Sequence, residues 1–152
     1  MDEIRRVDLS TADLKSYKKH LADCVVLTHD GKLYLQRRPE NWGSHAGVVS
    51  LFGGHVEAGE TAEQGVIREL NEETGAKIAP EDLVFIDAVT EGMTQHSEII
   101  HIYFWQDKGK TITGCYEAEP ITFDTVDAAL AHPKIMPYAA WALRACKKRG
   151  LV

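Results

Sequence analysis

Residues 54–76, GHVEAGETAEQGVIRELNEETGA, decide the reading of this 152-residue chain. Thr61 precedes Gln64 by three residues, the spacing of a capping box at a helix start. Gly75 stands where a left-handed glycine would stop the helix. The spacing therefore predicts a helix over residues 62–74. Successive helical residues turn by about 100°, so with Glu69 at zero, Glu73 falls at about +40° and Glu72 at about −60°. Three carboxylates share one narrow face. Val66, Ile67 and Leu70 fall on the adjoining face, at about +60° to +160°, and can bury against a sheet.

Carboxylates this close repel one another, by a few tenths of a kcal/mol per pair one turn apart. A helix built only for stability would interleave lysines on that face. Here only Arg68 is near, with Lys77 beyond the helix. A solvated acidic face is the ordinary fate of a Glu-rich helix, but this one has more than acidity. A flexible loop with Gly53, Gly54 and Gly59 precedes it and carries Glu57 and Glu60. A loop and helix that bring backbone carbonyls and carboxylates together suit a hard divalent cation. Mg²⁺ in particular accepts an incomplete oxygen cage and shares substrate phosphates.

Working outward, residues 23–28 form a β-rich run, and His29-Asp30-Gly31 suits a hairpin turn. Residues 32–38 read as the return strand, with Leu33 and Leu35 facing one way. A polar loop, 39–47, holds Trp42 and His45. Residues 48–52 read as a short strand ending at Gly53-Gly54. Further strands are expected over 83–89, 99–105 and 121–123, and helices over 126–130 and 137–148. At the N-terminus, Ser10-Thr11-Ala12-Asp13 could cap a short helix to about His20, making 1–22 an N-terminal extension. Strands before and after a central helix, with a helix at the end, imply a mixed sheet packed between helices, of α/β (α+β) class.

Composition narrows the partners. The length suits a single domain spanning 1–152. With 23 acids and 17 bases the net charge is −6, the wrong sign for a duplex-binding domain. A small anionic substrate still fits if a bound cation reverses the local sign. No apolar run approaches the ~20 residues needed to span a bilayer, and the first residues lack a signal-peptide core. Cys24, Cys115 and Cys146 form no Cys-x-x-Cys pair, so neither a disulfide framework nor a zinc knuckle is indicated. A cytoplasmic protein is expected.

The 54–76 segment resembles the Nudix box. That pattern is a Gly, five residues, a Glu, seven residues, Arg-Glu, an aliphatic residue, any residue, Glu-Glu, any residue, Gly, then an aliphatic or small residue. Gly54, Glu60, Arg68, Glu69, Leu70, Glu72, Glu73, Gly75 and Ala76 fill its fixed positions. The flanking QRRPENWG and SLFGGHVEAGE extend the likeness from about Asp23 to Phe123. Phe52 and Ala58 stand where many members carry proline, outside the strict pattern. The resemblance implies the Nudix α/β/α sandwich and hydrolysis of a phosphoanhydride bond in a nucleoside diphosphate linked to another group. Nucleoside triphosphates, ADP-ribose, nucleotide sugars, dinucleoside polyphosphates and capped RNA ends all remain open as substrates.

The resemblance also implies roles. Glu69, Glu72 and Glu73 would hold Mg²⁺, or Mn²⁺ as a substitute, with help from the Gly54 carbonyl. Glu60 and Arg68 would be a supporting pair, with Arg68 orienting a carboxylate of the helix. Family members often take a catalytic base from a loop near the last strands, where Glu117 and Glu119 are candidates, with Glu98 a third. Homodimers are common in the family.

The residues themselves suggest the remaining contacts. Arg37 and Arg38 lie on opposite faces of a strand, so one of the two would clamp a phosphate. Trp42 and Tyr34 could stack on a base, although packing is the commoner use of such rings. His96 and His101, five apart around a strand start, have a metal role only as the less usual reading. Three rival functions stand beside hydrolysis. The first is an isoprenoid diphosphate isomerase, which would use a cysteine such as Cys24 and departs from the box. The second is a nucleotide-sensing domain, which usually shows a degraded box. The third is a structural domain with no ligand, which the uncompensated glutamates oppose.

Overall fold

A computed structural model describes residues 3–41 and 43–152. Among these, eight strands form one mixed sheet in which β1–β6–β7–β2–β3–β4 is the main path. The strands are β1 (Ile4–Val7), β2 (Lys19–Leu27), β3 (Leu33–Arg37), β4 (Val49–Ser50), β5 (Phe52–His55), β6 (Val84–Glu91), β7 (Glu98–Gln106) and β8 (Glu119–Phe123). The helices are α1 (Ala62–Thr74), α2 (Val126–Leu130) and α3 (Pro137–Lys148). No helix among the described residues is long and apolar enough to cross a membrane.

Alternation along the strands makes two cores. On one face, Cys24, Val26, Phe52, Tyr103 and Trp105 pack against Val66 and Leu70 of α1. On the other, Val25, Leu27, Leu33, Leu35, Ile100 and Ile102 pack against Leu143 and Cys146 of α3. Val66 and Leu70 are fully buried, each contributing about 1.5–3 kcal/mol in transfer terms. The sheet therefore lies between helices, as its apolar periodicity requires.

The edge of β2 creates the working region. Its C-terminal end pairs with β3 at Val26 and Leu27. Its N-terminal half pairs instead with β5, from Leu21↔His55 to Cys24↔Phe52. The expected strand over 48–52 is accordingly two strands that part at Leu51: β4 stays with β3 and β5 moves to β2. The wedge between them opens a cavity on the α3 face and delivers Gly53-Gly54 to the start of the acidic segment. Along β2, parallel pairing with β7 runs from Lys19↔Glu98 to Leu27↔Gln106.

The N-terminal helix expected over 10–20 is corrected. Only a single 3-10 turn, Leu14–Ser16, forms there, capped by Asp13 rather than Ser10. Asp8 accepts from the Ser10 amide at 3.0 Å, a local bond that competes with helical pairing. Leu14 stays 39% exposed, so the supposed apolar side buries little. Residues 4–7 instead add strand β1 to the edge of β6, and β2 already begins at Lys19.

Candidate active site

Thr61 and Gln64 form the reciprocal capping box, and Gly75 closes α1 at φ 77° in the left-handed region. With both ends held, α1 presents Glu69, Glu72 and Glu73 beside Gly53 and Gly54, which were expected in a flexible loop but pair with Asp23 and Ala22 as residues of strand β5. The Gly53 amide donates to Glu73 Oε1 at 2.8 Å. A β-carbon at Gly54 would come within 2.6 Å of the Glu69 carboxyl carbon, so the β5 backbone lies directly against that carboxylate. Any larger residue there would push the Glu69 carboxylate out of its present position.

Arg68 braces the outer part of the cluster. Its Nε donates to Glu60 Oε2 at 2.7 Å and its Nη2 to Glu60 Oε1 at 3.0 Å, a bidentate pair. Its Nη1 donates to Glu69 at 2.9 Å and more weakly to Glu72 at 3.4 Å. Nη2 also reaches the His55 carbonyl at 3.0 Å, tying the helix to the end of β5. The Glu60 carboxyl is held down to about 2, first by its Arg68 hydrogen bonds and then by the Glu57 amide.

Glu73 is the opposite case. It is 5% exposed, and among the described residues it has no cationic partner. Burial pushes its carboxyl up to about 8, with Asp23, Glu69 and Glu117 adding like charge. Glu69 is raised too, chiefly by burial. The donor set of three carboxylates beside a glycine carbonyl fits a hard divalent cation. The buried, unpaired charge at Glu73 is what such a cation would offset. In the arrangement seen, no three acids, histidines or cysteines among the described residues converge on one point. Arg68 supplies the nearby positive charge.

The other sequence candidates separate clearly. Of the three outlying acids, Glu117 acts on Glu73 and Glu69 through its charge, and the Tyr116 amide bonds the Glu73 carbonyl at 2.9 Å. Glu119 is instead paired with Arg37, which also holds Glu40. Arg37 is thereby engaged within the protein, while Arg38 lines the cavity on the α3 face. Glu98 lies at that cavity too, opposite Lys19 in register. Tyr34 packs: its ring stacks on Phe52 at 5.2 Å and its hydroxyl donates to the Gly114 carbonyl. Trp42 lies outside the described residues. His96 bonds the Thr90 hydroxyl at 2.7 Å. His101 is buried and stacked on His20, and burial holds its imidazole down to about 4. Cys24 is fully buried with its thiol pushed up by burial, unsuited to act as a nucleophile.

Sequence reasoning missed the cavity floor. Asp23, Gln36, Glu91 and Tyr138 meet there. The available signal was an acid inside an apolar strand run, at Asp23 of β2, and another ending β6 at Glu91.

Comparison with known proteins completes the description: the NUDIX domain family model matches residues 18–143. The chain belongs to the NUDIX family. An ADP-ribose pyrophosphatase of Methanocaldococcus jannaschii is 42% identical over 67 residues, 41% of this chain and 38% of that protein. The match thus spans well under half of that relative's length. A CTP pyrophosphohydrolase of Escherichia coli strain K12 is 28% identical over 72% of this chain and 78% of its own. Among solved structures, a mutT/nudix family protein from Listeria innocua superposes with TM-score 0.67 at 20% identity, over 88% of this chain and 94% of that one. That last likeness is one of fold, the NUDIX sheet packed between helices.

Proposed function

We propose that this NUDIX protein hydrolyses a phosphoanhydride bond in a nucleoside diphosphate linked to a second group, with Mg²⁺ as the resident cation and Mn²⁺ as a substitute. The observation that carries this reading is Glu73: a buried carboxylate with one backbone donor, no cationic partner among the described residues, and three further acids about it. The relatives named as an ADP-ribose pyrophosphatase and a CTP pyrophosphohydrolase support a small nucleotide-derived substrate.

Glu69, Glu72, Glu73 and the Gly54 carbonyl would hold the cation. When bound, it would polarise the phosphate and screen the developing negative charge. Arg68, itself fixed by Glu60, keeps Glu69 and Glu72 oriented, as a supporting donor does for a ligand. Glu117 is the proposed general base: it is exposed, close enough to influence Glu69 and Glu73, and free to take a proton from attacking water. Arg38 is the proposed phosphate contact at the cavity, rather than Arg37. The chain would act as one catalytic unit, on small nucleotides rather than duplex nucleic acid or a membrane. Its free cysteines fit the reducing cytoplasm.

The test is a panel of nucleoside triphosphates, ADP-ribose, nucleotide sugars and dinucleoside polyphosphates, with Mg²⁺ and with chelator, for the protein and Glu73→Gln. Cation-dependent release of a nucleoside monophosphate, abolished in the variant, is expected. Nucleotide binding with no product across the panel would replace hydrolysis by a sensing role.

A further inference from the structure

Residues 107–118, between β7 and β8, form no helix or strand, yet they carry Glu117, the proposed base. A general base works only within hydrogen-bond reach of the water it activates. An exposed acid on an irregular segment therefore needs something to hold that segment in place.

Hydrogen bonds hold it at its start, against α1 and from the sheet. At the start, the Asp107 carboxylate, 2% exposed, accepts from the Thr111 amide and hydroxyl, both at 2.8 Å, and from the Ile112 amide at 2.9 Å. Against α1, the Thr113 amide donates to the Thr74 carbonyl at 2.8 Å and the Tyr116 amide to the Glu73 carbonyl at 2.9 Å. From the sheet, the Tyr34 hydroxyl of β3 donates to the Gly114 carbonyl at 2.9 Å.

Tyr34 also touches the other side of the acidic cluster. Its ring lies 16° from parallel to the ring of Phe52, which is fully buried, with centroids 5.2 Å apart. Phe52 precedes Gly53, whose amide holds the Glu73 carboxylate. These contacts close a circuit that begins and ends at Glu73. It runs from the Glu73 carboxylate through Gly53, Phe52 and Tyr34 to Gly114, and returns by Tyr116 to the Glu73 carbonyl. Glu117 follows directly after Tyr116. Its charge is felt at both Glu69 and Glu73, so its carboxylate lies near that cluster.

We infer that Tyr34 is a positioning residue, which fixes the separation between the acidic face of α1 and Glu117. The inference rests on the reading of hydrolysis with Glu117 as base. A ring buried for packing alone would be served by phenylalanine, as at Phe52. The hydroxyl adds a bond, and that bond ends on the loop three residues before Glu117. Without it the Gly114 carbonyl turns to water, and the loop is released from the sheet while its bonds to Asp107 and α1 remain. Glu117 then samples a wider range of positions, and the fraction poised at the attacking water falls.

The test is a double-mutant cycle on the intact protein with Mg²⁺ and whichever nucleotide of the panel it cleaves. Tyr34→Phe, which keeps the ring, is expected to lower kcat about tenfold and to leave KM within about twofold of the parent. In the Glu117→Gln background the same substitution is expected to change kcat by less than about twofold. Parent kcat in Tyr34→Phe, equal losses in both backgrounds, or parent kcat in Glu117→Gln overturns the inference and leaves hydrolysis standing. Thiol labelling supplies a reading independent of turnover. Cys115 lies between Gly114 and Tyr116, and Cys24 and Cys146 are fully buried, so maleimide labelling of the native protein follows Cys115. Tyr34→Phe is expected to label about fivefold faster, and labelling at the parent rate overturns the tie between Tyr34 and the loop. If no nucleotide of the panel is cleaved, the hydrolase reading falls and the labelling rate alone decides for or against that tie.

Discussion

Glu60 and Glu73 are the same residue type in opposite states, and the contrast separates the outer and inner halves of one acidic segment. Around Glu60, one guanidinium serves three carboxylates, and the carboxyl stays ionised down to about 2. Around Glu73, the sheet removes water and no side-chain cation follows among the described residues, so the carboxyl is driven up to about 8. Asp23, on the other side of Gly53, is driven up to about 7, first by burial. The outer half is finished by the protein alone. The inner half keeps an uncompensated carboxyl, which the divalent cation proposed above would offset.

The largest effect should come from removing the inner charge. Glu73→Gln is expected to lower kcat about a thousandfold while leaving the metal-free fold at least as stable, read by turnover and by thermal melts. Loss of stability without loss of turnover would reverse the contrast. Next comes the hinge between the halves. A side chain at Gly53, where φ is 151°, would meet the Ala22 carbonyl oxygen and Asp23 at 2.3 Å. Gly53→Ala should cost about 3 kcal/mol or more in chemical denaturation. Gly59→Ala, with open space around it at φ 84°, should cost only about 1 kcal/mol of backbone strain.

In the outer half, Arg68→Lys is expected to lower kcat about tenfold to a hundredfold. One ammonium cannot reproduce the bidentate grip on Glu60 while also reaching Glu69. A kcat within twofold of the parent would reduce Arg68 to a surface ion pair. Titration then sharpens the comparison further. A carboxyl raised from 4.5 to about 8 stabilises the fold fully below about pH 4.5, and that contribution fades as pH rises through about 8. The melting temperature of the metal-free protein should therefore fall relative to Glu73→Gln across that window, by roughly 5 °C. Glu60, lowered to about 2, carries the opposite sign: its contribution is present above about pH 4.5 and lost as pH falls toward 2. A flat difference between parent and Glu73→Gln would show that the inner carboxyl is not desolvated. The smallest effect is at the cap: Thr61→Ala should cost about 1 kcal/mol, visible in denaturant midpoints.

Local chemistry made much of this legible before any coordinates. The ends of α1 follow from Thr61, Gln64 and Gly75, whose capping bonds span at most a few residues. The spans of α2 and α3 were legible as well, since their periodic apolar residues meet one core. The shared face of Glu69, Glu72 and Glu73 follows from helix pitch alone. Where the outcome hinged on partners distant in sequence, the chain by itself could not decide. Residues 4–7 became a strand because β6 offered an unpaired edge, and the helix expected over 10–20 lost to local Asp8 and Asp13 bonds. The division of 48–55 into two strands, the pairing of Arg37 with Glu119, and the meeting of Asp23, Gln36, Glu91 and Tyr138 all join segments tens of residues apart. By itself the sequence determined the helix and the shared face of its acids, because those depend on backbone bonds and rotation per residue. The tertiary structure alone decided which acid is stripped of water and which is neutralised, because desolvation and ion pairing depend on what the fold brings against each side chain.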